Sequence, residues 1–343
     1  MGKYIVHIDL NAFFAQAEML NDPSLRDKPV AIGREVKRGV VATASYEARK
    51  FGVNSGMPIS EAKKLCPSLI LVPGHYQYYS RLSHQFFSYL KKKFPILEKA
   101  SIDECYIDMT NEIDKEDPHS FLFDLQLELY RATKLKCSIG LGPNKFLAKM
   151  GSDYKKPLGL TIIDQDNIKE MLWPLDIAKM YGIGKKTAPQ LKLLGINTIG
   201  DLAKTEASEV KSLLGSQFIY LRDEARGYGD DFVDTSTFDP KSISAERTFS
   251  EDVTSYDEIK GVILSCCKEI AAKLNQYNKA ATCLGIKFRS PDFSTVSKRE
   301  MTAKKIVTAD ELFYASMKLF DKYYDESPIR LIGISCEKVI NND

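Results

Sequence analysis

Apolar and polar positions alternate most regularly in the last third of the chain. Ser242–Phe249 has the pattern of a strand, and Thr282–Phe288 has that of a half-buried strand. A further strand falls within residues 294–302, and Leu331–Cys336 has the pattern of a last one. These stretches predict a small sheet in this part of the chain.

Two helices are predicted between these strands, because two capping boxes are each followed by apolar residues at helical spacing. The boxes pair Ser255 with Glu258 and Thr308 with Glu311. The apolar residues are Ile259, Val262, Ile263, Cys266, Ile270 and Leu274 in the first helix, and Leu312, Ala315, Leu319 and Phe320 in the second. The order β-α-β-β-α-β predicts a ferredoxin-like split βαβ domain, a fold that does not by itself specify a function.

The first half of the chain also mixes strands and helices. Strands are predicted at Tyr4–Leu10, Ser101–Met109 and Cys137–Leu141, and a helix at Phe121–Thr133. Residues 166–225 have the pattern of several short helices. The pattern therefore indicates an α+β protein.

Two stretches have the composition of domain boundaries. Lys155–Gly159 combines charge, Pro and Gly, and Gly229–Pro240 is polar and ends in Pro, as exposed linkers do. With 343 residues, the chain has the length of about two or three domains.

Composition narrows the class of protein. Apolar residues make up 44% and charged residues 27%, as in soluble globular proteins, and neither a membrane-length apolar run nor a signal peptide is found. The seven cysteines include no Cys-x-x-Cys pair, so we expect reduced, packed thiols in a cytoplasmic protein. The net charge is only +2, so any contact with a polyanion must come from local clusters.

Three carboxylates are candidates for a metal site. Asp9 ends an apolar strand, and Asp103 and Glu104 begin a remote one; such strand-end carboxylates can hold two Mg²⁺ ions. Neighbouring residues of a regular strand point to opposite faces, so residues 103 and 104 share one site only at a hairpin tip or a bulge. The alternative, that each is a turn or cap residue, stays open. His7 is expected to be packed or solvated rather than a ligand.

Basic and phenolic side chains near residue 46 are candidates for phosphate binding. Tyr46 and Arg49 lie three residues apart on one helical face, where they could grip a triphosphate, although a solvated helix face would have the same pattern. Lys156, held extended by the Pro157 that follows it, could add a point charge.

Ile177–Ala188 has the pattern of a helix-hairpin-helix. Gly182 and Gly184 bracket a tight turn into a helix, where backbone N–H groups could bind a DNA phosphate without reading a base. Lys185 and Lys186 add positive charge. A Gly-x-Gly turn alone is a weak signal, and the apolar residues that follow strengthen it.

Taken in order, these motifs resemble the Y-family of translesion DNA polymerases over nearly the whole chain. The segments that carry the resemblance are His7–Ala15, Asn21–Pro29, Tyr46–Gly52, Ser101–Asp108, Lys156–Pro157 and the hairpin. The resemblance implies a multidomain right-hand polymerase. Its parts would be a ferredoxin-like palm (1–10 and 76–163), small fingers (11–75), a helical thumb with the helix-hairpin-helix (164–230), a linker (231–241) and a C-terminal βαββαβ little finger (242–343).

The resemblance also implies an activity. It is template-directed, low-fidelity, distributive DNA synthesis without proofreading, by two-metal-ion nucleotidyl transfer from dNTPs to a primer 3′-hydroxyl. Asp9, Asp103, Glu104 and the Leu10 carbonyl would hold two Mg²⁺ ions, with Mn²⁺ as an alternative.

Further residues take roles only through this resemblance. The nucleotide-binding set would be Phe13, Phe14, Thr43, Tyr46, Arg49 and Lys156. Phe14 would also be the steric gate against a ribose 2′-hydroxyl, although an aromatic residue is by default a core residue. Ala42 and Ala44 would lie over the nascent base pair.

The expected partners are primer–template DNA, a dNTP and a sliding clamp, and the expected state is a monomer that does not bind membranes. No clear C-terminal clamp motif is found, and Gln190–Leu194 is assigned to a helix core. Residues 242–343 carry equal numbers of acidic and basic side chains. Lys298 and Arg299, with Lys304 and Lys305 nearby, are the DNA-backbone candidates there.

Three other functions were weighed against these motifs. A nucleotide cyclase would share the carboxylates but would have no use for the hairpin. A two-metal nuclease with a helix-hairpin-helix would need no triphosphate clasp. A non-catalytic DNA-binding scaffold would tolerate the loss of a carboxylate, and all three are present.

Overall fold

The computed structural model describes residues 2–342, which form two compact units. The first contains the described residues up to 35 and 39–236, and the second contains 36–38 and the described residues from 237 to 342. The boundary between the two units, after residue 236, falls inside the predicted linker. The finer boundaries between palm, fingers and thumb stay predictions. Residues 1 and 343, which the predicted palm and little finger include, lie outside the described residues.

The first unit mixes strands and helices, as the pattern predicts. Its strands are β1 (Ile5–Leu10), β2 (Val30–Ile32), β3 (Thr43–Ala44), β4 (Ile70–Val72), β5 (Leu97–Lys99), β6 (Glu104–Asp108), β7 (Cys137–Gly142) and β8 (Leu160–Ile162). Its helices before residue 160 are α1 (Phe13–Asn21), α2 (Tyr46–Arg49), α3 (Ile59–Leu65), α4 (Tyr76–Lys93), α5 (Pro118–Thr133) and α6 (Lys145–Tyr154). The predicted series of short helices is confirmed as α7 (Ile168–Met171), α8 (Thr187–Leu193), α9 (Ile199–Lys204), α10 (Ser208–Leu214) and α11 (Phe218–Ala225), with 3₁₀ turns at Ile177–Lys179 and Gly215–Gln217.

Strand β1 lies at the centre of a five-stranded sheet with the order β5-β6-β1-β7-β8. All six of its residues are buried. Val6 and Ile8 join the core formed with α4 and α5, whereas His7 and Asp9 bond to side chains of α6. Because neighbouring strand residues point to opposite faces, this alternation places Asp9 under α6.

The predicted strand Ser101–Met109 begins too early. The amides of Ala100 and Ser101 both donate to the Glu104 carbonyl, at 3.0 and 3.2 Å, so residues 101–103 form the turn of the β5–β6 hairpin. The strand proper begins at Glu104. Because Asp103 lies in this turn, its side chain need not point away from that of Glu104. Residues 103 and 104 can therefore share one site, as predicted for a hairpin tip.

The two stretches with the composition of boundaries differ in the structure. Lys155–Gly159 is the short connection from α6 to β8 inside the first unit, where the Leu158 amide donates to Asn11 Oδ1 at 2.8 Å. Residues 228–241 contain no helix or strand, as expected of a linker. Val233 is nevertheless buried in a small cluster with Ile5 and Tyr106, so the linker is not exposed throughout.

The second unit confirms the predicted order of elements. These are β9 (Ser242–Val253), α12 (Tyr256–Gln276), β10 (Lys279–Arg289), β11 (Thr295–Ile306), α13 (Ala309–Tyr323) and β12 (Ile329–Asn341). The Thr308–Glu311 capping box is formed, and the Ser255 side chain accepts from the Glu258 amide. Each strand is longer than predicted, because its polar residues continue the antiparallel ladders.

The strand order of this sheet differs from the ferredoxin-like prediction. The order is β11-β10-β12-β9, so the second and fourth strands of the domain are central, where a ferredoxin-like sheet has the first and third. The hydrophobic pattern specifies which segments are strands, but it carries no information on which remote strands pair.

All seven cysteines are free and buried, which confirms the expectation of packed thiols. Among residues 2–342, no helix is both long and apolar enough to cross a bilayer.

Candidate active site

The carboxylate centre lies where β1 and β6 meet, with Asp9 directly opposite Glu104 in the antiparallel register. Lys149 of α6 places its Nζ 2.6 Å from Glu104 Oε1 and 3.2 Å from Asp9 Oδ2. Lys156 Nζ lies 2.6 Å from the same Asp9 oxygen and 2.7 Å from Asp153 Oδ1. Two ammonium groups therefore balance the buried carboxylates.

The two opposed carboxyl groups titrate in opposite directions. Burial opposes the ionisation of Asp9, but the hydrogen bond with Glu104 and the charges of Lys156 and Lys149 outweigh it and hold the pKa of Asp9 well below its usual value. Burial and the neighbouring Asp9 raise the pKa of Glu104, and Lys149 offsets them only in part. The pair therefore favours an ionised Asp9, and Glu104 holds a proton more readily than Asp9 does.

Asp103 joins this centre from the hairpin turn. The hydroxyl of Ser101 donates to Asp103 Oδ1 at 2.6 Å, and the Leu10 amide donates to the Asp103 carbonyl at 3.0 Å. The pKa of Asp103 is raised, first by burial and, despite the Ser101 bond, also by the charge of Asp9. The structure therefore brings together the three carboxylates that the sequence selected from remote segments.

The donor set suits a hard divalent cation, although the present arrangement is not a formed metal site. Within residues 2–342, no group of three or more His, Cys, Asp or Glu side chains has the geometry to hold a metal ion. The carboxylates contact lysine ammonium groups instead. Three crowded carboxylates, two of them with raised pKa values, form an oxygen-rich site where an added cation would relieve repulsion. The metal-binding role of Asp9, Leu10, Asp103 and Glu104 stays a prediction.

Tyr46 and Arg49 share one face of α2, as predicted. The Arg49 guanidinium lies 4.7 Å from the centre of the Tyr46 ring, and its Nε donates to the Ala44 carbonyl at 3.0 Å. The Tyr46 hydroxyl is buried without a hydrogen-bond partner. Burial raises the pKa of Tyr46, while the charges of Arg49 and Lys156 act against it, so this hydroxyl lies within electrostatic reach of the carboxylate centre.

Phe13 and Phe14 begin α1 directly after β1. Phe13 is buried in the core, whereas the half-buried Phe14 ring stacks on Tyr79 at 4.6 Å with an interplanar angle of 16°. The Tyr79 hydroxyl donates to the buried carboxylate of Glu18, which also accepts from His75 at 2.8 Å. The predicted gate residue is thus braced by side chains that the sequence analysis did not select.

Ala42 and Ala44, predicted to lie over the nascent base pair, and Thr43, a predicted nucleotide-binding residue between them, differ in exposure. Ala44 is fully buried in the core beside β2, whereas Ala42 and Thr43 are half-buried. Ala44 therefore offers no exposed side-chain surface, and any effect it has on a base pair would pass through its neighbours. The roles of all three residues stay predictions.

The predicted hairpin lies between the 3₁₀ turn Ile177–Lys179 and α8. Gly182 has φ +92°, and a Cβ there would lie 2.9 Å from Leu221 Cδ2, so glycine is required. Gly184 faces open space at an ordinary φ and is not required by conformation. Lys185 and Lys186 are exposed beside the turn, as phosphate contacts would need to be.

The little-finger candidates lie on β11, an edge strand that is exposed along most of its length. Arg299 pairs with Glu337 at 2.7 Å, and Lys298 Nζ lies 5.1 Å from the centre of the Tyr323 ring. Both side chains therefore already have partners within the second unit.

Sequence reasoning missed Lys149, the residue that links Asp9 to Glu104. Its spacing from Asp153 at i, i+4 is a weak signal of an ion pair, which the structure forms at 3.3 Å. His7 is packed, as expected. It is buried with Nδ1 2.8 Å from Ser152 Oγ, and burial, aided by the Lys149 charge, lowers its pKa to about 3.

Comparison with known proteins identifies the family. The model of the impB/mucB/samB family matches residues 8–153, that of its C-terminal domain matches 240–343, and the HHH motif of the IMS family matches 165–196. DNA polymerase IV of Bacillus velezensis is 40% identical over 342 residues, covering 99% of this chain and 83% of the relative. DNA polymerase IV 1 of Bacillus subtilis is 37% identical, covering 100% and 83%.

Solved structures agree with the sequence relatives. A Y-family DNA polymerase chimera built on Dbh superposes with a TM-score of 0.87 at 28% identity, covering 99% of this chain and 100% of the chimera. DinB from Sulfolobus solfataricus has a TM-score of 0.66 at 28% identity, with the same coverage. The chain therefore belongs to the Y-family DNA polymerases and is a DNA-directed DNA polymerase.

Proposed function

We propose that this polymerase performs template-directed, low-fidelity and distributive synthesis, adding dNTPs to a primer 3′-hydroxyl without proofreading. The observation that carries the proposal is the convergence of Asp9, Asp103 and Glu104 at one end of the central sheet, within electrostatic reach of Tyr46 and Lys156. The carboxylate oxygens are suited to the metal ions of a metal-bound triphosphate, and the neighbouring basic and phenolic groups are suited to its phosphate oxygens.

Asp9, Asp103, Glu104 and the Leu10 carbonyl would hold two divalent ions, Mg²⁺ or Mn²⁺. Such ions, when bound, lower the pKa of a hydroxyl nucleophile and stabilise negative charge on the phosphoryl group in transfer. Lys149 keeps Asp9 ionised and holds Glu104 in place through its contacts of 3.2 and 2.6 Å. A metal ion bound to Asp9 would replace the Lys156 ammonium that now contacts this carboxylate. Lys156 would then be free to contact the triphosphate.

Tyr46 and Arg49 would complete the triphosphate clasp. The buried Tyr46 hydroxyl lacks a partner, which is costly unless a ligand supplies an acceptor. The adjacent Arg49 guanidinium supplies a planar fork suited to phosphate oxygens. Phe14, held by its stack on Tyr79, would exclude a ribose 2′-hydroxyl.

DNA would be held by its backbone. The amides near Gly182 and the side chains of Lys185 and Lys186 are suited to phosphate contacts that do not depend on sequence. Lys298 and Arg299 would add contacts only by leaving their present partners. Engagement of a sliding clamp and action as a monomer in the cytoplasm stay predictions.

Primer extension tests the catalytic assignment. With one labelled dNTP and Mg²⁺, Asp103→Ala should lower nucleotide addition on the order of a thousandfold, because charge in the transition state loses its support. Binding of the primer–template should remain. Asp124→Ala, at an exposed position of α5, is the matched control and should extend normally.

Other outcomes would replace the proposal. Near-normal extension by the Asp103→Ala protein would remove the carboxylate from the chemistry. Primer shortening by the unaltered chain would point to a nuclease, and a cyclic nucleotide product would point to a cyclase.

A further inference from the structure

A second polar cavity lies in the first unit, apart from the carboxylate centre. It has a volume of about 200 Å³ and is lined by Glu98, Tyr106, Lys145, Phe146, Tyr181, Tyr220, Glu224 and Asp230. Tyr106 and Phe146 are buried, whereas Tyr181 and Tyr220 are about half exposed, which puts these two at its mouth. Four aromatic rings and three carboxylates therefore surround one small space.

The chain's own Lys145 shows how this cavity accommodates an ammonium group. Its Nζ lies 3.1 Å from Glu98 and 2.8 Å from Asp230. The same atom lies 5.9 Å from the centre of the Tyr106 ring, within the range of a cation–π contact. The Lys145 ammonium thus forms ion pairs with two of the three acidic residues and none with the third.

That third residue is Glu224 of α11, and it is only 3% exposed. Its Oε2 is buried without a hydrogen-bond partner, although the carboxylate accepts a hydrogen bond from Tyr220. Burial raises the pKa of Glu224 to about 7, because the Tyr220 bond offsets it only in part. A buried carboxylate oxygen with no donor is costly, so Glu224 favours a ligand that can donate a hydrogen bond to it.

We propose that this cavity binds the primary ammonium group of a small alkylamine, which donates a hydrogen bond to Glu224 Oε2. A primary ammonium has three N–H donors, so it can also bond to phenol oxygens at the mouth while its charge faces their rings. The charge-assisted bond to Glu224 is the main contact. Nothing in the polymerase reaction uses this carboxylate.

Other ligand classes fit the cavity less well. About 200 Å³ is below the usual range for a drug-sized ligand, so a nucleotide is too large. A bare divalent cation needs several converging oxygen ligands, and the described residues include no metal-binding group of three. A quaternary ammonium has the charge but no N–H to donate to Glu224 Oε2.

Calorimetric titration of the full-length, DNA-free chain tests the proposal. The probes are propylammonium chloride and putrescine, compared with tetramethylammonium chloride and KCl at equal ionic strength. We expect saturable, one-to-one binding of propylammonium and putrescine in the millimolar range, with tetramethylammonium much weaker. Glu224→Gln should weaken propylammonium binding about tenfold or more, because a charge-assisted hydrogen bond is lost.

Glu209→Gln is the matched control, since Glu209 is an exposed residue of α10 in the same unit, and its binding should equal that of the unaltered chain. Equal binding of propylammonium and tetramethylammonium would overturn the proposal, as would unchanged affinity in the Glu224→Gln protein. Absence of saturable binding above KCl would also overturn it. If the Glu224→Gln protein does not fold, the proposal is tested by comparing propylammonium and tetramethylammonium binding to the unaltered chain.

Discussion

Two buried acidic sites in the first unit differ in how their charge is balanced. At the carboxylate centre, Asp9 contacts Lys149 and Lys156, and its pKa falls although burial alone would raise it. In the second cavity, Glu224 receives only the Tyr220 hydroxyl, and its pKa rises to about 7. Burial thus acts in the same direction at both sites, and at Asp9 the hydrogen bond with Glu104 and the two nearby cations outweigh it.

This difference bears on function. The metal-binding role proposed for Asp9 needs an ionised carboxylate at neutral pH, and the lowered pKa that the Glu104 hydrogen bond, Lys156 and Lys149 give Asp9 meets that need. Glu224 has no comparable cation, so it retains the capacity to bind one from solution. Three predictions test whether charge balance is the true difference between the two sites, beginning with the largest effect.

Lys149→Met should leave the carboxylate centre with less positive charge, as at Glu224, which forms no ion pair with a lysine among the described residues. The substitution keeps much of the side-chain volume but removes the ammonium from the buried Asp9 and the half-buried Glu104, so the free energy of unfolding should fall by about 3 kcal/mol. Nucleotide addition should fall as well, because Glu104 would then hold its proton more tightly. Urea denaturation and primer extension measure the two effects.

Lys155→Met is the control, since Lys155 is an exposed residue of the same region, and it should change stability by less than about 0.5 kcal/mol. If Lys149→Met were as stable as this control, the ammonium would not be what balances the centre.

Glu224→Gln should change how stability depends on pH. The pKa of Glu224 is about 7 in the folded chain against an ordinary value of 4.5, so the folded state binds the proton more tightly. Its contribution therefore decreases as the pH rises from 4.5 to 7 and is constant above that range. The variant lacks this loss and should gain about 3 kcal/mol over the unaltered chain between pH 4.5 and pH 8.

Denaturation at several pH values checks this prediction. Glu209→Gln should follow the unaltered chain throughout. A Glu224→Gln protein whose pH profile also ran parallel to the unaltered chain would show that Glu224 does not titrate abnormally.

Replacement of exposed charged residues should have the smallest effect on the free energy of unfolding, since these side chains are neither buried nor needed for packing. Replacing Lys185 and Lys186 with Ala should change the free energy of unfolding by less than about 0.5 kcal/mol. The log–log salt dependence of primer–template binding should decrease by about one unit per lysine that contacts a phosphate. The double variant Lys91→Ala, Lys92→Ala on α4 is the matched control, and an equal decrease there would remove the specific role of the hairpin.

Local features of the molecule were predictable from the sequence. The Thr308 capping box, the order of elements in the second unit and the helical face shared by Tyr46 and Arg49 each depend on residues a few positions apart. Such patterns report backbone and side-chain preferences that act over one or two turns. The resemblance to the polymerase family likewise rests on short local motifs.

Tertiary structure decided what depends on remote segments. The opposition of Asp9 and Glu104, the contact of Lys149 with both and the lack of any cation partner for Glu224 Oε2 within the described residues follow from strand register and helix packing. The order of strands in the second sheet has the same origin. Hydrophobic periodicity specifies which face of a segment is buried. Which segments meet, and hence which charges are balanced, is determined only by how the segments pack together.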